Sequence, residues 1–379
     1  MPPKVVAALT TAFALGGVGY LACALLRTRQ FASRRLEEPR GFPSVVILKP
    51  LCGYEEQLEE NLRSFCEQDY PAFDVIFGVR DPQDIAAGVA RDVVAQFPTR
   101  ARLVAGDGSP DKGNPKVANL ARMSGGLTQD VVVIADADMR VTPGYLRAIV
   151  EPLGDPQIGV VTCLYAGSAH GGVASQLAAM YVNEQFAPSV LVAQAIEPLR
   201  YAFGATIALR RSLLERIGGF AALAGHVADD HLLGRLATEH QSGVRLSRYV
   251  VENVMYEPGF GTMWARELRW SRTIRSVRPI GHAFSFLTFG LPLAVLAALV
   301  APGAKTAVLL GAATTLRLWL HRETRAAFGV HPKAASAFLV PLRDSISFAV
   351  WLAAFCGRRV SWRRQQLQLD SDGQIVSAY

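Results

Sequence analysis

The stretch Asp130-Val-Val-Val-Ile-Ala135, followed at once by Asp136-Ala137-Asp138, decides how this chain folds. Its apolar residues run without the alternation of a half-solvated strand. A strand buried on both faces reads this way, and such strands belong to parallel sheets covered by helices. Upstream, the same logic predicts strands at Ser44–Leu48, Asp74–Val79 and Arg102–Ala105. Between them, apolar residues at helical spacing predict helices at Glu55–Gln68, Ile85–Phe97 and Pro115–Met123, the last opened by its proline. Alternation from Pro43 to about Met255 implies an α/β domain over residues 40–260, a mostly parallel sheet with helices on both faces. Ligands of such sheets bind beyond the carboxyl ends of the strands.

The composition sets the surroundings of this domain. The 379 residues are 50% hydrophobic and 19% charged, with 39 Lys+Arg against 32 Asp+Glu and a formal charge of +7. A mean hydropathy of +0.21 fits a soluble domain joined to a few membrane segments, and the composition excludes a disordered chain, a collagen or a disulfide-stapled mini-protein. The five cysteines (Cys23, Cys52, Cys66, Cys163, Cys356) are scattered and lack metal-ligand spacing. They read as reduced, mostly buried thiols of a cytoplasmic compartment. There is no internal repeat and no low-complexity tract.

Val5–Leu26 is apolar and uncharged over about 22 residues, enough to span a bilayer. A secretory signal is the competing reading, but its apolar core would be shorter. Residues 1–28 are therefore expected to be an N-terminal anchor. Arg27, Arg29, Arg34, Arg35 and Arg40 follow it and place the rest of the chain in the cytoplasm by the positive-inside rule. Residues 282–301 and 304–320, parted by Pro302-Gly303, are expected to form a membrane hairpin. Arg317, Arg322 and Arg325 would return the chain to the cytoplasmic side. Ser345–Cys356 is too short to span alone and, with Ala334–Leu342, reads as a re-entrant or interfacial hairpin, a tilted full span being the alternative. This gives a membrane region over 281–360, with Arg358, Arg359, Arg363 and Arg364 at its end, and a cytoplasmic tail over 361–379. Basic residues flanking apolar stretches suit anionic lipid, and nucleic acid is not an expected partner.

Five places could carry chemistry. Asp136 and Asp138, past a buried strand, offer hard oxygens for Mg²⁺ or Mn²⁺ with substrate phosphates completing the shell; a solvated turn is the plainer alternative. Asp81 ends the second strand, either as a turn before Pro82 or as an acceptor for a base or ribose. Asp229 and Asp230 open a helix expected over Asp230–His240, either as an N-cap or as a carboxylate pair poising a general base. Arg266, Arg269 and Trp270 share one helix face, suited to a diphosphate and an acceptor or, more plainly, to an interfacial helix over 261–280. Lys116, near a helix start, faces phosphate or base. No Walker A and no G-x-G-x-x-G is present, against P-loop and dinucleotide enzymes.

Together, Asp81, D-A-D at 136–138, D-D at 229–230 and R-E-L-R-W at 266–270 resemble the motif series of inverting, membrane-bound glycosyltransferases of GT-A fold. Ile47-Leu48-Lys49-Pro50-Leu51, Asn114-Pro115-Lys116 with Asn119, and Arg343-Asp344-Ser345 through Ser361-Trp362-Arg363 resemble the ceramide glucosyltransferase-like group, family 21. Within it the chain looks most like bacterial hopanoid-biosynthesis-associated glycosyltransferases. The resemblance implies transfer from a UDP-sugar, GlcNAc ahead of glucose, to the hydroxyl of a membrane lipid, a hopanoid polyol, at the inner membrane of a bacterium. It further implies that Asp81 contacts uridine, that Asp136 and Asp138 hold metal and diphosphate, and that Asp230 is the base. Lys116, Arg266 and Arg269 would serve the donor and Trp270 the acceptor. Ceramide glucosyltransferases resemble one another in a His-Pro where this chain has Ala187-Pro188, which favours a different lipid alcohol. The rival readings are a ceramide glucosyltransferase, a processive polysaccharide synthase and a non-enzymatic nucleotide- or lipid-binding protein.

Overall fold

A computed structural model describes residues 2–33, 37–109, 113–329, 336–357, 359–362, 365–369 and 375–378. Arg34, Arg35, Arg358, Arg363 and Arg364 of the two basic clusters lie outside the described residues. The chain forms two compact units. One comprises Arg35–Tyr165 and Pro198–Val254; the other comprises Met1–Arg34, Ala166–Glu197 and Met255–Tyr379. The stretch expected over 40–260 is thus interrupted: residues 166–197, helical from Val173 to Ile196, group with the two chain ends.

In the first unit, β1 (Val45–Leu51), β2 (Phe73–Val79), β3 (Ala101–Ala105), β4 (Val131–Ala135), β5 (Met139–Arg140), β6 (Ile158–Ala169), β7 (Thr206–Arg210) and β8 (Gly243–Met255) form one sheet; β6 and β8 end beyond the unit's limits. The strand order is β3-β2-β1-β4-β7-β6-β8-β5. The first four strands are parallel, as expected. The rest of the sheet is mixed, as a GT-A-like sheet allows: β7 runs antiparallel to β4 and to β6, and β5 antiparallel to β8. Val45, Ile47, Val75, Phe77, Val131 and Val133 belong to one core, and the alternate residues Val46, Leu48, Ile76, Val132 and Ile134 are equally buried. Both faces of the parallel half are therefore covered, which is why β4 tolerates no polar residue.

Helices at Leu58–Cys66 and Ile85–Gln96 pack together, and Pro115–Met123 packs on β1 and β2. The antiparallel register Ala135↔Thr206 brings two chain segments to one place. The chain leaving β4 and the chain entering β7 meet at one edge, the carboxyl edge of the parallel strands.

The described residues of the second unit are mainly helical; besides the ends of β6 and β8 they include the antiparallel strands β9 (Arg359–Trp362), β10 (Gln365–Leu369) and β11 (Ile375–Ala378), in the region expected as a tail. Among the described residues, two helices are long and apolar enough to cross a membrane, Pro3–Ala32 and Ala337–Ala354. The second corrects the returning hairpin: a 3-10 turn at Ala337–Leu339 leads into the unbroken helix Val340–Ala354. The expected hairpin over 282–320 also differs. Its first arm is a pair, Pro279–Thr288 and Gly290–Val300, bent by 67°. Its second arm is the 24-residue helix Ala304–Ala327. Arg317 of that helix is buried rather than marking a loop. It pairs with Asp344 (Nη2–Oδ1 2.8 Å) and with Glu184 (Nη1–Oε2 2.8 Å), and Glu184 also meets His321 at 2.7 Å. Buried charges among apolar helices are retained only when paired.

The anchor packs through small residues. A Cβ on Gly290 would lie 2.8 Å from the carbonyl oxygen of Gly17 and 2.7 Å from Leu21 Cδ1. This lets Pro3–Ala32 and Gly290–Val300 approach backbone to backbone. Gly290→Val should therefore force the two helices apart, at an overpacking cost of about 1–3 kcal/mol. A thermal midpoint of the detergent-solubilised protein lowered by a few degrees would bear this out, and an unchanged one would not.

Candidate active site

The edge where β4 ends carries the acidic groups. Asp136 follows β4 directly, and its N–H donates to Ala205 C=O at 3.4 Å, beside the entry to β7. Asp138 is held by Asn253 Nδ2 at 2.8 Å. Lys116 Nζ lies 2.6 Å from Asp136 Oδ1 and 3.8 Å from Asp229 Oδ2. Asp230 Oδ2 accepts from the N–H of Gly204 at 2.8 Å, and Oδ1 from the N–H of His231 at 2.8 Å. Asp136, Asp229, Asp230 and Lys116, scattered through the chain, thus share one site.

Local sequence explains how they arrive there. Asn114 caps the helix Pro115–Met123, its Oδ1 accepting from the N–H groups of Lys116 and Val117. Its Nδ2 donates to His226 C=O at 2.9 Å, and its own N–H to Ala224 C=O at 2.8 Å. One buried asparagine therefore starts the Lys116 helix and docks the segment that leads to Asp229. Gly113 makes this approach with a φ of 77°, and a Cβ there would lie 2.4 Å from Ala224 O. Ala228 occupies the N-cap position of the helix Asp229–Glu239 and makes no side-chain cap, so Asp229 and Asp230 are its first residues and not its N-cap. Gly234 brings this helix against residues 201–202, since a Cβ there would meet Tyr201 Cα at 2.4 Å.

Gly204 stands at the centre. A Cβ on it would lie 3.3 Å from Asp230 Oδ2, 3.5 Å from Asp136 Oδ2 and 3.5 Å from Lys116 Nζ. It is not among the glycines with positive φ, and a Cβ would make one tight contact, to Asp230 Oδ2, at the point that all three charged groups face. Sequence reasoning misses this residue, because a glycine advertises no chemistry.

Charge follows geometry. Burial raises the Asp138 carboxyl, and Asp136 raises it further. Burial also raises Asp230; Lys116 and the N–H groups of His231 and Gly204 draw it back. Asp229 reaches about 6, through burial opposed by Lys116 and reinforced by Asp230 and Asp136. Burial works against the Lys116 cation, yet Asp136, Asp229 and Asp230 together hold it above its ordinary value. Asp136 and Asp138, two hard-oxygen carboxylates two residues apart past the end of β4, fit a divalent cation that shares its shell with phosphates. Among the described residues no set of three or more His, Cys, Asp or Glu is placed to hold a metal alone.

Asp81 keeps its contacts local: its Oδ1 accepts from the N–H of Gln83 at 2.9 Å, and Gly108 packs against its carboxyl. Arg266, Arg269 and Trp270 lie in the other unit, on the helix Phe260–Val277. There Arg266 Nη1 pairs with buried Glu257 at 2.7 Å. Its Nε and Nη2 are buried with no partner among the described residues. The Arg266 guanidinium lies 5.1 Å from the centre of the Trp270 ring, and Arg269 is half-buried one turn along.

The sequence matches the profile described as Glycosyl transferase family 21 over residues 9–375. The chain belongs to this family. Relatives of this family 21 chain include a ceramide glucosyltransferase of Komagataella phaffii, 35% identical over 130 residues, and ceramide glucosyltransferase 1 of Caenorhabditis elegans, 22% identical over 216. These alignments take in 33% and 57% of this chain, and 26% and 46% of theirs. The family 21 chain thus spans less than half the length of these curated relatives. Among solved structures, the mannosyltransferase PcManGT from Pyrobaculum calidifontis, in complex with GDP-Man and Mn²⁺, is similar with a TM-score of 0.57 at 21% identity, over 92% of this chain and 99% of that one. The likeness shows a shared, GT-A-like α/β fold.

Lys49 is a second residue of the family 21 chain whose place only the structure reveals. Fully buried in β1, it donates to Asp136 C=O at 2.8 Å and lies 3.6 Å from the centre of the Phe65 ring. Burial lowers it to about 7, against the pull of Asp138 and Asp136. Unfolded, it would titrate near 10.4. Between those values the unfolded chain holds a proton that the folded chain lacks, so stability from this group rises with pH, by at most about 1.4 kcal/mol per unit. Without divalent metal, the stability of wild type relative to Lys49→Met should grow from pH 7 to pH 9 in thermal melts. A difference independent of pH would contradict this placement.

Proposed function

We propose that this family 21 chain is an inverting glycosyltransferase that moves a sugar from a UDP-sugar to the hydroxyl of a membrane lipid. The observation that carries the reading is the convergence of Asp136, Asp230 and Lys116 on the space before Gly204, at the edge of the sheet where ligands bind. Asp230 takes the proton of the acceptor hydroxyl. The freed oxygen attacks the anomeric carbon as the bond to the diphosphate breaks, and UDP leaves. Asp230 suits the role of base because two N–H groups fix its carboxylate and burial raises its basicity.

Asp136 and Asp138 would hold Mg²⁺ or Mn²⁺, which when bound supplies positive charge to the two phosphates. Lys116 serves the same diphosphate and Asp81 the uridine. By the motif resemblance, Arg266 and Arg269 stabilise the leaving UDP and Trp270 contacts the acceptor. The unpartnered Nε and Nη2 of Arg266 support a phosphate role. The anchor, the basic residues after it and the apolar C-terminal helices support a bilayer setting, with the catalytic domain on the cytoplasmic face of a bacterial inner membrane.

For the substrates, we favour GlcNAc and a hopanoid polyol, on the resemblance and on Ala187-Pro188 standing in place of His-Pro. A second reading, glucose transferred to ceramide, is favoured by the names of the matched relatives. Mass spectrometry of lipids incubated with the protein, metal and a panel of UDP-sugars separates them. One added hexosamine on a hopanoid is expected; a glucosylated ceramide would establish the second reading. A long polymer would point to a processive synthase. UDP release independent of lipid and metal would sink the transferase reading altogether.

Two variants test the site. Asp230→Asn should cut turnover by about 100-fold or more while UDP-sugar binding is largely kept; near-normal turnover would remove Asp230 from the mechanism. Gly204→Ala fills the space where the sugar would sit. It should lower kcat/KM for the UDP-sugar by about tenfold or more, with UDP affinity unchanged in calorimetry. Wild-type kinetics in this variant would move the sugar elsewhere.

A further inference from the structure

Arg343 is a charged residue with no exposed surface, in the helix Val340–Ala354, within a stretch apolar enough to cross a membrane. A buried guanidinium there is costly and calls for a reason. Its contacts supply one. Nη1 and Nη2 grip Glu267 Oε1 and Oε2 at 2.8 and 2.7 Å, a two-pronged pair. Nη1 also donates to Leu177 C=O at 3.1 Å and Nε to Ser347 Oγ at 3.0 Å. The guanidinium lies 5.6 Å from the centre of the Tyr181 ring. Tyr181 in turn stacks on Trp270, centroids 6.1 Å apart at 27°.

Glu267 is the second residue of R-E-L-R-W, and Trp270 the last. We propose that Arg343 and Tyr181 are positioning residues for Trp270: Arg343 fixes the helix through Glu267 and backs Tyr181, which sets the plane of the indole that meets the lipid acceptor. This rests on the acceptor role proposed above for Trp270. Arg266 has a separate anchor, the Glu257 carboxylate at 2.7 Å, and the Glu257 N–H is in turn held by Ser175 Oγ at 2.8 Å. Arg266 therefore keeps an anchor of its own when the Arg343–Glu267 pair is removed, while its guanidinium, 5.1 Å from the centre of the Trp270 ring, also borders the indole.

The test uses the full chain in nanodiscs with a UDP-sugar and the lipid acceptor found by mass spectrometry. Arg343→Met alone would leave Glu267 buried and unpaired, so it is made together with Glu267→Met; replacing a buried pair by apolar residues of similar volume is commonly tolerated. Tyr181→Leu removes the stack and keeps the ion pair. Both variants should melt within a few degrees of wild type. They should raise KM for the acceptor by about tenfold or more, the scale expected when a contacting group is displaced, and keep KM for the UDP-sugar within about threefold. Wild-type acceptor kinetics in the Tyr181→Leu variant would overturn the inference. So would equal losses on donor and acceptor, which would mark the cluster as purely structural. A wild-type protein that transfers no sugar would overturn the function itself and the inference with it. An active wild type with an unaffected variant would overturn the inference alone.

Discussion

One ammonium among three carboxylates holds the α/β unit's working edge together. Lys116 lies against Asp136 and within reach of Asp229, and Asp230 adds to the field that keeps it protonated. Three carboxylates brought to one partly buried place repel each other and lose hydration, and either effect alone would drive protons onto them. A cation on the first turn of a helix answers both. It stays there because Asn114 caps that helix and, with the other end of its amide, ties down the segment bearing the acids. The site is therefore a balance of charge that local capping keeps in register.

The helical unit is built on the same constraint with a different remedy. Its interior holds Arg317, Arg343, Glu184, Glu267, Asp344 and His321, all buried. None could stand alone in an apolar setting. Each is met by a partner elsewhere in the unit; Glu184 and Arg317 are 133 positions apart. Such pairs add little net stability over apolar packing, but they permit one arrangement of helices and penalise others heavily. Among smooth apolar helices, where shape alone discriminates poorly, that selectivity is the plainest reason to keep them. The π turn Val182–Phe186 carries Glu184, and such bulges re-aim side chains within a helix.

What can be read in the sequence follows this division between local and distant causes. The parallel strands are legible because each is a short apolar run bounded by turn residues. Pro115–Met123 is legible to the residue because its cap and its proline are adjacent in sequence. The antiparallel half is not, since the direction of β7 is set by its partner β4 and not by its own residues. Arg317 misleads for a similar reason. Its sequence neighbours are apolar, so it resembles a membrane-edge marker, and its true partners lie far along the chain. Among the acids, Asp136, Asp138 and Asp230 declare themselves by following strands or opening helices. Gly204 and Lys49 do not: the one lacks a side chain, and the other reaches Asp136 C=O with its Nζ from inside a strand whose sequence reads as purely structural.

The geometry around Asp230 also bears on why the acid pair is a pair. A proton acceptor must be basic enough to take a hydroxyl proton and still be ionised when the reaction begins. Burial pushes Asp230 toward the first condition, and the N–H groups of His231 and Gly204 with the Lys116 cation push it toward the second. Asp229 lacks that pair of backbone donors: its oxygens meet the Asn114 amide at 3.4 Å and the Lys116 ammonium at 3.8 Å, and it sits at about 6. The two neighbours thus divide the work. Asp230 is held in one orientation by two backbone N–H groups, which suits the base role proposed for it. Asp229, on longer contacts, adds to the negative charge, led by Asp136, that keeps Lys116 protonated. The order of the two residues in sequence matters for the same reason: only the second falls where the chain entering β7 can offer it an N–H.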